Sequence, residues 1–208
     1  EMPKHKIILD QTNYRLAHAV YNSVQEAEKV YGTHHKPQGI RDWVAFAWIK
    51  MMIFGADIIS RRPKMNEKLF LRRLLYLETM GAAVGLAAPT AQHMRHVIQF
   101  KGGEEGQIIN HLVEESDNER VHLYAILELK RPSLPTRIAV LMFQTAFFLM
   151  FTTIHFISPR VGFRYIGYLE EEAFDTYTKI IKGIDEGTLP EWKNYPARSE
   201  LKMYYMLP

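Results

Sequence analysis

The residues with the clearest chemistry are Glu119 and His122, inside Asp117-Asn118-Glu119-Arg120-Val121-His122-Leu123. They stand three positions apart in a long helical pattern, so both side chains share one helix face. A carboxylate beside an imidazole suits iron better than magnesium or calcium, which favour all-oxygen shells. Carboxylate-bridged two-metal bundles take one Glu from each of two helices and a Glu-x-x-His pair from each of two others. A lone Glu-x-x-His is equally what a solvated Glu beside a capped His would give, so the rest of the chain has to decide.

Two further acids qualify. Glu78 is the single carboxylate in the apolar run Leu74-Leu75-Tyr76-Leu77-Glu78-Thr79-Met80. A buried, unpaired carboxylate is costly, so it needs a partner or a metal. Glu170, Glu171 and Glu172 follow one another about 100° apart on a helix, so at most one or two can face a core. Spacing alone does not say which, and a charged outer face explains all three. Tyr177 shares the Glu170 stripe two turns on. Three long helices thus offer acids in the order Glu, Glu-x-x-His, Glu, three quarters of the two-metal layout. Among the nine His, only His122 has a Glu three positions earlier, so these 208 residues contain no second such pair.

The elements that must position these residues are helical. With 208 residues, 47% hydrophobic and 24% charged, the chain is long and apolar enough for one sizeable core. The absence of cysteine excludes disulfides, thiolate zinc sites, a cysteine nucleophile and self-ligated iron–sulfur clusters. A formal charge of +3 gives no nucleic-acid field. The sequence begins at Glu1 with no Arg- and Ser-rich transit segment, so any targeting peptide is expected to have been removed or left out.

Residues 1–13 read as a polar arm. A helix over 14–30 carries Leu16, Ala17, Val20, Val24 and Ala27, and 33–39 reads as a turn with His34 and His35 solvated. Asp42 is a candidate cap for a helix over 43–60, apolar nearly all round apart from Lys50 and Asp57. A helix from Asn66 frays near Pro89 and stops by Gly102-Gly103, with small residues at 81–83 that let another helix approach. Helices follow over 104–130, 136–158 and 161–184. The tail, 188–208, shows no long helical run. The expected domains are an N-terminal arm and helix over 1–39 and a helical bundle over 40–208.

Several stretches together resemble the alternative oxidases, cyanide-resistant ubiquinol oxidases of mitochondria. They are Leu77-Glu78-Thr79, Asn118-Glu119-Arg120-Val121-His122-Leu123, Ile157-Ser158-Pro159-Arg160, Gly167-Tyr168-Leu169-Glu170-Glu171-Glu172-Ala173 with Thr176-Tyr177-Thr178, and Ile184-Asp185-Glu186-Gly187. The resemblance covers roughly 66–208. It implies an all-α, ferritin-like di-iron four-helix bundle with extra amphipathic membrane-contact helices. It also implies two non-haem irons that reduce O₂ to water with electrons from ubiquinol, without proton pumping. Carried over residue by residue, it makes Glu78, Glu119, His122 and Glu170 the metal residues. Tyr177 falls on the tyrosine implicated in electron transfer. Arg73, Leu77, Leu169, Glu172, Ala173 and Thr176 fall where the quinol pocket is lined, and Asn118 falls on a residue that orients ligands.

The sequence departs from the family pattern in places. Val84 stands for a usual Pro, and Phe163 for a usual His. Tyr204-Tyr205-Met206-Leu207-Pro208 has its usual Trp changed. The second Glu-x-x-His helix would follow Pro208, so the 208 residues alone are expected to hold no stable di-iron centre. The resemblance further implies a peripheral, monotopic protein on the matrix side of the mitochondrial inner membrane. The helices over 43–60 and 136–158 would lie in one leaflet, and the assembly would be a homodimer or part of a larger respiratory complex. The other reading is a structural relative: an alternative-oxidase-like subunit of a larger membrane complex whose metal site is incomplete or empty.

Overall fold

The computed structural model describes residues 32–60, 66–99, 104–197 and 199–205. The expected helix over 14–30 lies outside the described residues. Those residues form α1 (Ile40–Ser60), α2 (Glu67–Gln99), α3 (Glu104–Lys130), α4 (Leu134–Ile157) and α5 (Pro159–Asp185). A short 3-10 turn (Pro190–Trp192) and α6 (Ser199–Tyr205) follow. No strand occurs among the described residues. The chain is all-α, as the periodicity predicts.

The central helix is α2, packed against α1, α3, α4 and α5. Its small residues Ala83, Ala87, Ala88 and Ala91 are essentially inaccessible to solvent. They allow α3 to come so close that a Cβ on Gly85 would lie 3.0 Å from the Ser116 Cα. The same packing explains why α2 runs straight through Pro89, where the sequence pattern frays. An interior proline costs about 3 kcal/mol or more, and burial around it, Ala87 and Ala88 before and Ala91 after, works against that loss.

Two apolar clusters flank α2. One joins Ala45 and Ile49 of α1 to Phe147 and Phe151 of α4 and to Tyr165 and Leu169 of α5. Trp48 ties it together, with ring centroids 5.7 Å from Phe151 and 4.3 Å from Tyr165. The other joins Leu74 and Leu75 of α2 to Leu123 and Ile126 of α3 and to Ile180 of α5. Leu189 plugs this second cluster from the turn after α5. Gly187, at φ 74, makes the reversal that sends the chain back there, a conformation other residues adopt only at a cost.

Three helices, α1, α2 and α4, are long and apolar enough to cross a membrane. Burial separates them. The apolar window of α2 is 83% buried inside the protein, against 28% for α1 and 17% for α4. Thus α2 is a core helix, while α1 and α4 present apolar side chains outward. These include Trp43, Met51, Phe54 and Ile58 on α1, and Leu141, Met142 and Leu149 on α4.

Candidate metal centre

Glu78 on α2 and Glu119 with His122 on α3 converge between the two helices. One donor atom from each lies within 4.8 Å of the others. Donors sharing an ion at bond lengths of about 2.1 Å sit at most about 4.2 Å apart, so a small closure would bring all three onto one cation. Glu170 on α5 does not join this tight group. It lines the same cavity, a space of about 640 Å³ also lined by Asn118 and Tyr177. Gly81 makes room for the cluster. A Cβ there would lie 1.9 Å from Glu119 Oε2, so glycine is what lets this carboxylate seat against α2.

The acids are held in a place that suits a cation. Glu78 is 4% exposed. Burial raises its pKa from 4.5 to about 7; the Tyr177 hydrogen bond opposes the rise and the charge of Glu170 adds to it. Burial and the charges of Glu78 and Glu170 push Glu119 well upward too. Glu170 is raised to about 7, first by lost hydration and then by Glu115. Its side chain is exposed on the open side of the cavity, so water screens it and the penalty falls mainly on Glu78 and Glu119. Three carboxylates and an imidazole around one cavity, with no cation among them to neutralise the acids, make a fitting donor set for iron.

The surrounding hydrogen bonds orient the donors. The Tyr177 hydroxyl donates to Glu78 Oε1 at 2.6 Å. His122 turns Nδ1 toward Glu78 Oε2, 3.7 Å away. Its other nitrogen, Nε2, lies 2.9 Å from the Tyr205 hydroxyl, which also accepts from Asn118 Nδ2 at 2.8 Å. A proton on Nε2 would leave Nδ1 as a lone pair facing the acids, the arrangement an imidazole ligand needs.

Tyr205 is the residue that sequence reasoning missed. It arrives on α6, a seven-residue helix in a tail without a long helical run, and only the changed tryptophan position marks it.

The residues expected around a quinol fall into two places. Leu77, Leu169 and Ala173 line the acid cavity. Arg73, Glu172 and Thr176 form a buried cluster beside it. Arg73 is 2% exposed and donates to Asp57 of α1 at 2.5 Å, to Glu172 at 2.7 Å and, more loosely, to Thr176 Oγ1 at 3.4 Å. The glutamate triplet is thus divided rather than left as an outer face. Glu170 faces the cavity, and Glu172 holds Arg73. Glu171 accepts from the His35 backbone N–H and pairs with His34 at 2.6 Å. His34 and His35 are therefore engaged, not simply solvated; His35 pairs with Asp42 at 3.3 Å. Asp42 lies in the first turn of α1 rather than capping it, and accepts from the Gln38 N–H.

The alternative oxidase profile matches residues 22–208. The chain belongs to the alternative oxidase family. It is similar to the mitochondrial alternative oxidase of Emericella nidulans, 33% identical over 204 residues, which cover 92% of this chain and 57% of that protein. It is 35% identical over 177 residues to the mitochondrial alternative oxidase of Trypanosoma brucei brucei, covering 83% of this chain and 52% of that one. It is 34% identical over 175 residues to the mitochondrial ubiquinol oxidase 2 of Glycine max, covering 84% and 49%. The chain therefore spans about half the length of the curated relatives it matches.

Proposed function

We propose that this chain forms most of a ubiquinol oxidase, passing electrons from ubiquinol to O₂ to give water at a non-haem di-iron site. The observation that carries the proposal is the convergence of Glu78, Glu119 and His122 within ligand reach, with Glu170 on the same cavity. Bound iron would supply the redox and O₂ chemistry. The protein's part is to hold, orient and exclude. Glu78, Glu119 and Glu170 neutralise the cations, and His122 supplies nitrogen. Tyr205 and Asn118 fix the imidazole. The Tyr177 hydroxyl, hydrogen-bonded to Glu78, stands where an electron and its proton can leave the quinol side for the acids.

Arg73, Leu77, Leu169, Glu172, Ala173 and Thr176 lie on that quinol side. The ion pairs to Asp57 and Glu172 hold Arg73 in one orientation, so it acts by tying α1, α2 and α5 together beside that pocket.

The chain offers one imidazole and three carboxylates at the cavity. Two ions need about four ligands or more each, partly shared by bridging carboxylates. A second Glu-x-x-His helix, supplied in cis or in trans, therefore completes the working centre.

The outward apolar faces of α1 and α4 support the reading of a protein seated in one leaflet, and the mitochondrial names of its relatives support the inner membrane, on its matrix side. In this reading the helices do not span it, because a spanning α4 would carry the acids packed behind it to bilayer depth, where charge is costly. Dimerisation, or membership of a larger respiratory assembly, is consistent with the apolar side chains left outward.

Oxygen uptake driven by ubiquinol tests the function. Cyanide-insensitive turnover is expected, with loss of activity in Glu119→Ala. An iron-free native protein whose complete complex also lacks a second Glu-x-x-His would favour the structural-subunit reading instead.

A further inference from the structure

A second groove lies away from the acid cavity, between the N-terminal half of α2, the end of α3 and the start of α4. It has a volume of about 530 Å³. Ile59, Tyr76, Val140 and Phe143 give it an apolar wall, and Arg72 and Lys130 give it a basic one. Lys68 stands one turn before Arg72. Burial lowers the pKa of the half-buried Lys130, and the like charges of Arg72 and Lys68 lower it further. None of the three cations has an ion-pair partner among the described residues. Gathered like charges without a counter-charge are unfavourable, so an anion that enters here relieves repulsion as well as gaining attraction. The exposed side chains of Leu134, Ile138, Leu141 and Met142 lie on the other face of the same helix, α4, whose inner face lines the groove. What fits is a ligand with a negative head and a long apolar tail.

We propose that this groove binds an anionic phospholipid. Its phosphate sits against Arg72 and Lys130, and an acyl chain lies along Ile59, Tyr76, Val140 and Phe143. The site rests on the reading of α4 as a leaflet-facing helix, since only then do lipid tails reach the groove. Its consequence is a fixed lipid beside the same α2 that carries Glu78 and Arg73.

Vesicle co-sedimentation of the purified protein tests it. One arm uses phosphatidylcholine alone, another phosphatidylcholine with phosphatidylglycerol, and a third adds inorganic phosphate to the second. The wild type is expected to prefer the anionic vesicles, and inorganic phosphate is expected not to abolish that preference. Each cation near a lipid surface is worth roughly five-fold in partition, so Arg72→Gln with Lys130→Gln should lose about 25-fold of the preference. Ala139→Trp fills the groove without changing charge and should also reduce the preference, with helix content unchanged by circular dichroism. Retention of the preference in Ala139→Trp would overturn the groove in favour of diffuse surface charge. Full displacement by inorganic phosphate would overturn the lipid in favour of a plain anion site. Equal binding of the wild type to both vesicles would sink the groove while leaving the membrane face standing. Binding to neither would sink both.

Discussion

Gly81→Ala should remove metal without unfolding the protein. The added Cβ would start 1.9 Å from Glu119 Oε2 and 2.8 Å from its Cδ, and an ordinary contact needs at least 3.4 Å. Overpacking a core costs about 1–3 kcal/mol. Here the obstructed atom is the end of a flexible side chain, which can rotate away, so the cost falls at the low end. Alanine also gains about 1 kcal/mol over glycine inside a helix. The net stability change is therefore within about 1 kcal/mol. The carboxylate, however, is displaced by more than a bond length. Losing even a residue that orients ligands typically lowers metal affinity 10- to 100-fold, so displacing a ligand itself should lower it by about tenfold or more.

Gly85→Ala is the matched control. Its Cβ would lie 3.0 Å from the Ser116 Cα, which is backbone and does not rotate aside. That variant should lose about 1–2 kcal/mol, lowering Tm by about 2–4 °C per kcal/mol for a domain of this size, while Glu119 keeps its seat. Thermal unfolding of the metal-free proteins, and iron titration of both variants in the form that carries the second Glu-x-x-His helix, make the assay. Wild-type iron affinity in Gly81→Ala would refute the placement of Glu119 against α2.

Three other outcomes follow from the geometry. Tyr205→Phe removes the oxygen that meets both His122 Nε2 and Asn118 Nδ2; iron affinity in the form that carries the completing helix should fall 10- to 100-fold. Arg73→Met leaves Asp57 and Glu172 without their shared cation and should destabilise the protein by about 3–5 kcal/mol, as read by urea denaturation. The metal-free protein should grow more stable on acidification. Glu78 rises from 4.5 to about 7 on folding, so the native state holds a proton there that the unfolded chain releases across that range. The stability this proton gives is complete below about 4.5 and lost as pH climbs through 7, about 3 kcal/mol from Glu78 alone. Glu119 shifts in the same direction. A metal-free stability that instead rises between pH 5 and pH 7 would contradict the buried cluster.

The helices were legible because each repeats its apolar positions at helical spacing, and observed ends fall close to those expected. The pattern frays at Pro89 and resumes through His93 and His96, and α2 indeed continues to Gln99, because buried alanines on both sides of the proline hold it in the core. The Glu-x-x-His pair declared itself through chemistry and spacing. Choosing Glu170 from its triplet needed the family resemblance, because adjacent residues on a helix face three directions and any one of them could be inward. The partners of Glu171 and Glu172 were not readable at all: His34 and Arg73 lie 137 and 99 residues away. Tyr205 stayed hidden for the same reason. A seven-residue helix has too little pattern to detect, and its value comes wholly from docking on His122.

The central claim is that these acids and His122 hold iron once a second Glu-x-x-His helix packs against them. The direct measurement is iron per chain in two proteins: the 208 residues alone, and a form that also carries that helix. The account predicts no stable iron in the first. In the second it predicts two irons, lost on Glu119→Ala. Two irons bound by the 208 residues alone would contradict the need for a further helix. Iron that persists in the longer form after Glu78, Glu119 and His122 are all replaced would contradict the site itself.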